Sequence, residues 1–214
     1  MEKKKSNISM AVIKRLPKYH RYLSELLRND VDRISSKELS EKIGFTASQI
    51  RQDLNCFGDF GQQGYGYNVK DLYNEISGIL GLTKQYRTII AGAGNIGQAI
   101  ANYTRFENLG FSLDGIFDIN PKLFGLRIRD VEIQDLDNLP KFLQENKIDI
   151  GIICVPKIGA QKVCNVLVEN GVKAIWNFAP TDLIIPNDVV VENVHLSESL
   201  LTLTYLLKDS QENN

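Results

Sequence analysis

The spacing of apolar residues changes in character near residue 85. Before that point apolar side chains recur every three or four positions, which predicts helices. A helix beginning at Pro17, for example, carries Tyr19, Leu23 and Leu27 on one face. After that point short apolar runs alternate with helical segments, which predicts strands and helices in turn. We therefore expect a helical domain followed by an α/β domain, and 214 residues leave room for both.

Two short helices joined by a tight turn are predicted between residues 35 and 55. Ser35 begins a capping box that opens the first helix, Gly44 ends it, and Thr46 starts the second. Two helices joined in this way are typical of a helix-turn-helix. Glycines and aromatic residues interleave over residues 58–67, which predicts a two-stranded hairpin, and Asn68 caps a further helix. Residues 1–84 are therefore predicted to form a winged helix.

The second helix of this pair has a polar face suited to DNA. Ile50 and Leu54 lie four residues apart and would face the core, so polar residues are left outside. Gln and Arg can each make two hydrogen bonds to a base edge in the major groove, and the hairpin would lie along the minor groove. The candidate DNA contacts are Lys14, Ala47, Ser48, Gln49, Arg51 and Gln52, with Gln62, Gln63, Gly64 and Tyr65 in the hairpin. The alternative is that this polar face is only solvated.

Alternating strands and helices are predicted over residues 85–196. The strands are expected at 88–91, 111–118, 148–155, 174–177 and 189–194, with helices at 96–106 and 160–170. The run at 148–155 is apolar on both faces, as in a buried parallel strand. This order predicts a doubly wound parallel sheet of the Rossmann type. A last amphipathic helix is predicted at 197–208, with a short tail to residue 214.

A glycine-rich motif follows the first of these strands and opens the next helix. It consists of Gly92, Ala93, Gly94, Asn95, Ile96 and Gly97, and Asp118 ends the following strand. In a dinucleotide site the glycines allow a tight turn and close approach of a diphosphate, while the acidic residue accepts hydrogen bonds from the ribose and disfavours a 2′-phosphate. NAD(H) is thus the predicted cofactor, with Val155, Pro156 and Phe178 as further candidate contacts. The alternatives are glycines that serve only packing, or a site for coenzyme A or a flavin.

Composition narrows the class of protein. No apolar run is long enough to cross a membrane, and the charged N-terminus does not resemble a signal peptide. Three cysteines without a Cys-x-x-Cys pair argue against zinc and disulfides and favour the cytoplasm. Residues 1–86 hold 14 Lys and Arg against 10 Asp and Glu, whereas residues 87–214 hold 11 against 16. A basic first part fits a DNA-binding domain.

An oxidoreductase with a helical appendage is the main alternative function. Hydride transfer usually needs a positioned acid or base, and His195 or Tyr103 could supply one. Too few residues follow the dinucleotide half to build a substrate domain, so we predict that the chain is not an enzyme and holds no catalytic residue.

Several motifs together resemble the Rex family of redox-sensing transcriptional repressors. The resemblance spans nearly the whole chain. Its marks are Arg15-Leu16-Pro17-x-Tyr19, Gln49-Ile50-Arg51-Gln52-Asp53-Leu54, Phe57-Gly58-x-Phe60-Gly61, Gly64-Tyr65-Gly66-Tyr67, the glycine motif and Asn177-Phe178-Ala179-Pro180.

The resemblance implies a homodimer in which the last helix of each subunit swaps onto its partner. It also implies a pseudo-palindromic, A·T-rich operator, NADH as the cofactor form that releases DNA, and NAD+ as the form that permits binding. Arg15 and Tyr103 would form a redox switch near the nicotinamide ring, with an acidic residue just before the last helix.

Two positions depart from the family pattern. His195 stands where many members carry that acidic residue. A neutral imidazole could bond to Tyr103 but could not form an ion pair with Arg15, and a histidine there could add pH sensitivity. Gln62 and Gln63 stand where a basic residue is usual, which would weaken attraction to DNA.

Overall fold

The computed structural model describes residues 8–58 and 65–212. They fold into two compact units, the first ending at Lys84 and the second beginning at Gln85. In the part of the chain that is described, no helix is both long and apolar enough to cross a membrane.

The first unit is built from four helices and a small two-stranded sheet. Its elements are α1 (Met10–Arg28), β1 (Arg33–Ile34), α2 (Ser36–Ile43), α3 (Ala47–Asn55), β2 (Tyr67–Asn68) and α4 (Val69–Ile79). The two strands pair antiparallel. All four helices bury one apolar face in a common core that includes Leu16, Leu39, Ile50, Leu72 and Ile76.

Helix α1 begins earlier than the sequence indicates. The prediction that a helix starts at Pro17 is wrong, because Pro17 lies inside a helix that begins at Met10. Ser9 caps it, with its side chain accepting a hydrogen bond from the Val12 amide. A proline inside a helix removes one backbone hydrogen bond. The continuous buried face from Val12 to Leu23 outweighs that loss.

The turn between α2 and α3 forms as the sequence predicts. The Ser35 hydroxyl accepts from the Glu38 amide and the Glu38 carboxylate accepts from the Ser35 amide, which completes the capping box. Gly44 then ends α2 in the left-handed region, at φ 72°. The Thr46 hydroxyl caps α3 by accepting from the Gln49 amide at 3.1 Å.

The predicted hairpin falls largely on residues that the structure does not describe, Gln62, Gln63 and Gly64 among them. In the C-terminal part of the predicted hairpin, strand β2 pairs with β1, and Gly66 lies between Tyr65 and β2. Gly66 has φ 72°, and a Cβ there would lie 2.6 Å from the Ile34 carbonyl oxygen. Only glycine fits at this close approach.

The second unit is a seven-stranded sheet with helices on both faces. Its elements are β3 (Tyr86–Ala91), α5 (Asn95–Ala101), α6 (Arg105–Asn108), β4 (Phe111–Asp118), β5 (Arg127–Ile128), β6 (Val131–Asp135), α7 (Leu139–Glu145), β7 (Ile150–Ile153), α8 (Lys157–Glu169), β8 (Ala174–Asn177), β9 (Val190–Asn193) and α9 (Leu196–Glu212). The strand order is β5-β6-β4-β3-β7-β8-β9, and every pair is parallel except β5 with β6.

The core of this unit has two halves, one on each face of the sheet. Ile89 belongs to the half covered by α7 and α8, and its neighbour Ile90 belongs to the half covered by α5. This alternation follows from the two-residue period of a strand. The predicted doubly wound parallel sheet is confirmed.

Between Ala101 and Arg105 the structure corrects the sequence-based prediction of one helix over residues 96–106. Helix α5 ends at Ala101 and the single turn α6 begins at Arg105. The Asn102 amide side chain donates to the Gln98 carbonyl at 2.9 Å, a local bond that competes with continuing the helix. Tyr103 consequently lies in the break between the two helices.

Helix α9 buries none of its residues in the described part of the chain. Its apolar side chains are at least half exposed, namely Leu196, Leu200, Leu201, Leu203, Tyr205, Leu206 and Leu207. An apolar surface of this extent on one helix is typical of an interaction site.

Candidate functional site

The glycine motif lies where three strand ends meet. The Gly92 amide donates to the Phe117 carbonyl and the Cys154 amide donates to the Ala91 carbonyl, both at 2.7 Å. These bonds tie the end of β3 to the ends of β4 and β7. The chain leaves β3 for β4 on one side and later returns to β7 on the other. Ligands of such sheets bind in the crevice at this switch point.

The three glycines of the motif have different physical roles. Gly92 has φ 102°, and a Cβ there would lie 2.6 Å from the Cys154 carbonyl carbon. A Cβ on Gly97 would lie 1.9 Å from the Gly92 carbonyl oxygen. The fold itself therefore requires glycine at positions 92 and 97. A Cβ on Gly94 would meet nothing within 4 Å, and φ there is −73°, which any residue can adopt. The open space at Gly94 is what close approach of a diphosphate needs.

The Asp118 side chain is hydrogen-bonded to the glycine motif. Its Oδ2 accepts from the Ala93 amide at 2.6 Å, and its Oδ1 accepts from the Asn120 amide at 2.8 Å. A carboxylate has about four acceptor positions, so two remain for ribose hydroxyls. Asn95 and Ile96 begin α5 beside it and are exposed. The motif and its acidic residue thus form one preorganised site.

The other candidate cofactor contacts lie at the same edge of the sheet. Val155 and Pro156 follow β7, and Phe178 follows β8. The Phe178 amide donates to the Ile153 carbonyl at 2.9 Å, which fixes the aromatic residue beside the end of β7. Val155 and Phe178 are half-buried and Pro156 is exposed.

Four aromatic rings form a chain on one face of the sheet. Ring centroids are 4.7 Å apart for Tyr103 and Phe106, 5.6 Å for Phe106 and Trp176, and 4.6 Å for Trp176 and Phe178, all near edge-to-face. Tyr103, Phe106 and Trp176 line an apolar cavity of about 260 Å³. Phe106 and Trp176 could not be predicted as lining residues from the sequence, because neither belongs to a recognisable motif.

His195 follows β9, and the buried Asn177 side chain is bonded to Asn193, the last residue of that strand. Asn177 is fully buried, and its side chain bonds the Thr181 carbonyl, the Ala179 amide and the Asn193 side chain at 2.8 to 3.0 Å. This network joins the ends of β8 and β9. His195 Nε2 lies 3.7 Å from a carboxylate oxygen of Asp182. The acidic partner of this histidine within its own unit is therefore Asp182.

Helix α3 presents the polar face that the sequence predicts. Ile50 and Leu54 are buried in the core. Ser48, Arg51 and Gln52 are exposed, and Ala47 and Gln49 are half-buried. The remaining described candidates, Lys14 on α1 and Tyr65 before β2, are exposed as well.

Arg15 is engaged by a residue that sequence reasoning did not single out. Its guanidinium donates to both carboxylate oxygens of Asp53, at 2.6 and 2.7 Å, and the Tyr19 hydroxyl donates to the same carboxylate at 2.7 Å. Burial alone would raise the pKa of Asp53, but the hydrogen bonds from Arg15 and Tyr19 hold that pKa below its ordinary value. Asp53 is therefore ionised at neutral pH. A role of Arg15 in a redox switch stays a prediction.

Comparison with known proteins identifies the family. The family model "CoA binding domain" matches residues 83–181, and the model "Putative DNA-binding protein N-terminus" matches residues 7–55. The redox-sensing transcriptional repressor Rex of Clostridium perfringens is 76% identical over 207 residues, which is 97% of each chain. Rex of Clostridium acetobutylicum is 75% identical over 206 residues, 96% of each chain. This chain belongs to the Rex family.

Solved Rex structures share the fold of this chain. RSP in complex with β-NAD+ and operator DNA superimposes with a TM-score of 0.89 at 66% identity, covering 96% of this chain and 95% of that one. RSP in complex with β-NADH superimposes with a TM-score of 0.88 at 63% identity, covering 96% and 97%. The Rex relatives are transcriptional repressors, so the comparisons give no support to the oxidoreductase alternative.

Proposed function

We propose that this Rex-family chain is a DNA-binding transcriptional repressor that senses the NADH/NAD+ ratio and leaves its operator when NADH binds. The observation that carries the proposal is the glycine motif bonded to Asp118 in a chain that also presents a polar helix-turn-helix face. Its Rex relatives are redox-sensing repressors, and RSP has been crystallised with both cofactor forms and with operator DNA. A repressor of bacterial operators acts in the cytoplasm.

The cofactor half of the proposal assigns each end of NAD(H) to residues at the sheet edge. Asp118 would accept the adenosine ribose hydroxyls, and the backbone from Gly92 to Gly97 would hold the diphosphate above Gly94. The nicotinamide end would lie toward Val155, Pro156 and Phe178. The aromatic chain leads from Phe178 to Tyr103. This surrounding is apolar, so it penalises the positively charged ring of NAD+ relative to the neutral ring of NADH.

The DNA half of the proposal places α3 in the major groove. Gln49, Arg51 and Gln52 have the side chains that read base edges, and the short side chains of Ala47 and Ser48 let the helix approach the backbone. Lys14 would contact phosphate. The predicted hairpin over residues 58–67 would add contacts along the minor groove from Gln62, Gln63, Gly64 and Tyr65. The operator is proposed to be A·T-rich and pseudo-palindromic.

The proposed assembly is a homodimer joined by exchange of α9. The support is the exposed apolar surface of that helix, which a second copy of the chain would bury. A two-fold symmetric dimer also matches two operator half-sites. Tyr103 and His195, with Arg15 as the family resemblance implies, would then bias the dimer between a state that binds DNA and one that does not. The two cofactor forms need only differ in affinity for these states.

The experiment that tests this function is fluorescence anisotropy with a labelled A·T-rich palindrome at fixed salt. NADH is titrated against a constant NAD+ background, and NADPH, coenzyme A and flavin mononucleotide are titrated in parallel. We expect release of DNA by NADH alone, opposed by NAD+. Release by coenzyme A instead would show a different ligand, and DNA binding indifferent to every nucleotide would refute redox sensing.

A further inference from the structure

Arg15, Tyr19 and Asp53 form a hydrogen-bonded cluster at the DNA-reading helix. Asp53 is 2% exposed and is the only buried carboxylate among the described residues. Both of its oxygens accept hydrogen bonds from α1, two from the Arg15 guanidinium and one from the Tyr19 hydroxyl. A bidentate bond between a guanidinium and a carboxylate fixes direction as well as distance. We call these three residues the clasp.

The clasp holds the end of a short helix. Helix α3 has nine residues, and Asp53 lies in its last turn, between the buried Ile50 and Leu54. At its other end α3 is held by the Thr46 cap and by close packing against α2. Helix α1 packs mainly on α4. The clasp is therefore a directional link from α1 to the far end of α3.

Two of the side chains that would read DNA lie next to Asp53 on α3. Gln49 lies four residues before Asp53, and Gln52 immediately precedes it. Rotation or tilt of α3 would move the Gln49 and Gln52 side chains relative to the base edges. Their base contacts would then be lost, because a hydrogen bond weakens steeply outside about 3.2 Å. Phosphate contacts tolerate such a movement better, since charge attraction is less directional.

We propose that Arg15 and Tyr19 act through Asp53 to fix the orientation of α3, which makes Arg15 a positioning residue for operator recognition. The inference rests on the proposed function, because it concerns the same DNA-reading helix. This task is additional to the place in the redox switch that the family resemblance implies for Arg15.

The test compares three variants of the full-length chain. Arg15→Lys keeps the positive charge but cannot make the two-point bond, and Tyr19→Phe keeps the buried ring and removes one hydrogen bond. Arg28→Lys is the matched control, because Arg28 is an exposed arginine in the last turn of α1. Each variant is titrated with operator and with a scrambled duplex of equal length and charge, and thermal melts confirm that it is folded.

We expect Arg15→Lys to weaken operator binding about tenfold and Tyr19→Phe about threefold, with scrambled-duplex binding unchanged within about twofold. The NADH affinity of Tyr19→Phe, measured from the fluorescence of the bound cofactor, should stay the same, because Tyr19 has no place in the proposed switch. Equal losses on both duplexes would mean that the cluster only stabilises the domain, which overturns the proposal. Operator binding by Arg15→Lys equal to that of the unaltered chain would also overturn it.

A second readout separates this inference from the proposed function. Hydrogen exchange of residues 47–55 is measured on the protein without DNA or cofactor. Faster exchange there in Arg15→Lys and Tyr19→Phe, but not in Arg28→Lys, supports the clasp even if NADH fails to release the unaltered chain. Exchange equal to that of the unaltered chain refutes it.

Discussion

Substitution of Gly94 by alanine should separate the fold of the glycine motif from its ligand. An alanine Cβ at this position would meet no atom within 4 Å, and φ is −73°, so the backbone needs no adjustment. Replacing glycine at a compatible conformation stabilises a protein by about 0.4 to 1 kcal/mol, because the unfolded chain loses freedom. The free energy of unfolding of Gly94→Ala should therefore stay equal or rise by up to about 1 kcal/mol.

Cofactor binding should change in the opposite direction. A diphosphate oxygen must come within about 3 Å of the loop amides, and a methyl group in that space prevents it. We expect the NADH affinity of Gly94→Ala to fall at least about tenfold, a loss of about 1.4 kcal/mol. Gly97→Ala provides the contrast, because its Cβ would lie 1.9 Å from the Gly92 carbonyl oxygen. That variant should lose about 3 kcal/mol of folding stability.

Urea unfolding and calorimetric titration with NADH measure the two quantities on the same samples. Gly78→Ala is the control, since a Cβ at that helical glycine also meets nothing within 4 Å and lies in the other unit. Unaltered NADH affinity in Gly94→Ala would refute the assignment of the diphosphate to this loop. A marked loss of stability would show that Gly94 serves the fold.

Buried polar groups and cysteines lead to three further predictions. Asn177→Ala removes three hydrogen bonds and leaves the buried Ala179 amide without its partner, so urea unfolding should show a loss of about 3 kcal/mol, and a loss below about 1 kcal/mol would contradict the network. The pKa of Asp53 is lower folded than unfolded, so its contribution to stability is complete above its ordinary pKa of 3.8 and is lost as the pH falls below it. The unaltered chain should thus lose more stability than Asp53→Asn between about pH 5 and pH 3, and parallel pH profiles would contradict this. Iodoacetamide at about pH 7.5 should modify Cys56 alone, because Cys56 is exposed whereas burial raises the pKa of Cys154 to about 12; two adducts by mass spectrometry would count against it.

The local chemistry of the sequence was sufficient to predict a structural feature wherever a single residue determines that feature. Ser35 and Gly44 determine the two ends of α2 and Thr46 determines the start of α3, by their own side chains or backbone freedom, so these three positions could be predicted. The strand from Phe111 to Asp118 was also predicted with its observed bounds. Family resemblance added the function, which local chemistry alone left open between a repressor and an oxidoreductase.

Features that depend on contacts between distant segments could not be predicted in this way. The Arg15 and Asp53 side chains are 38 positions apart, and nothing local indicates that they pair. Helix α1 extends through Pro17 because its buried face is worth more than one lost hydrogen bond, a balance that only packing reveals. Strands β5 and β6 and helix α7 were not predicted at all, since their apolar residues are too few to give a clear period.

The aromatic chain has an optical consequence. Trp176 is the single tryptophan of the 214 residues, and it contacts both Phe106 and Phe178 at the border of the apolar cavity. Ultraviolet-excited tryptophan emission from this protein therefore originates at one point of the molecule, and its wavelength depends on how much water reaches that indole. The chain carries its own unlabelled probe of this cavity, and stopped-flow emission at Trp176 can follow rearrangements there in real time while the DNA and the cofactor remain unmodified.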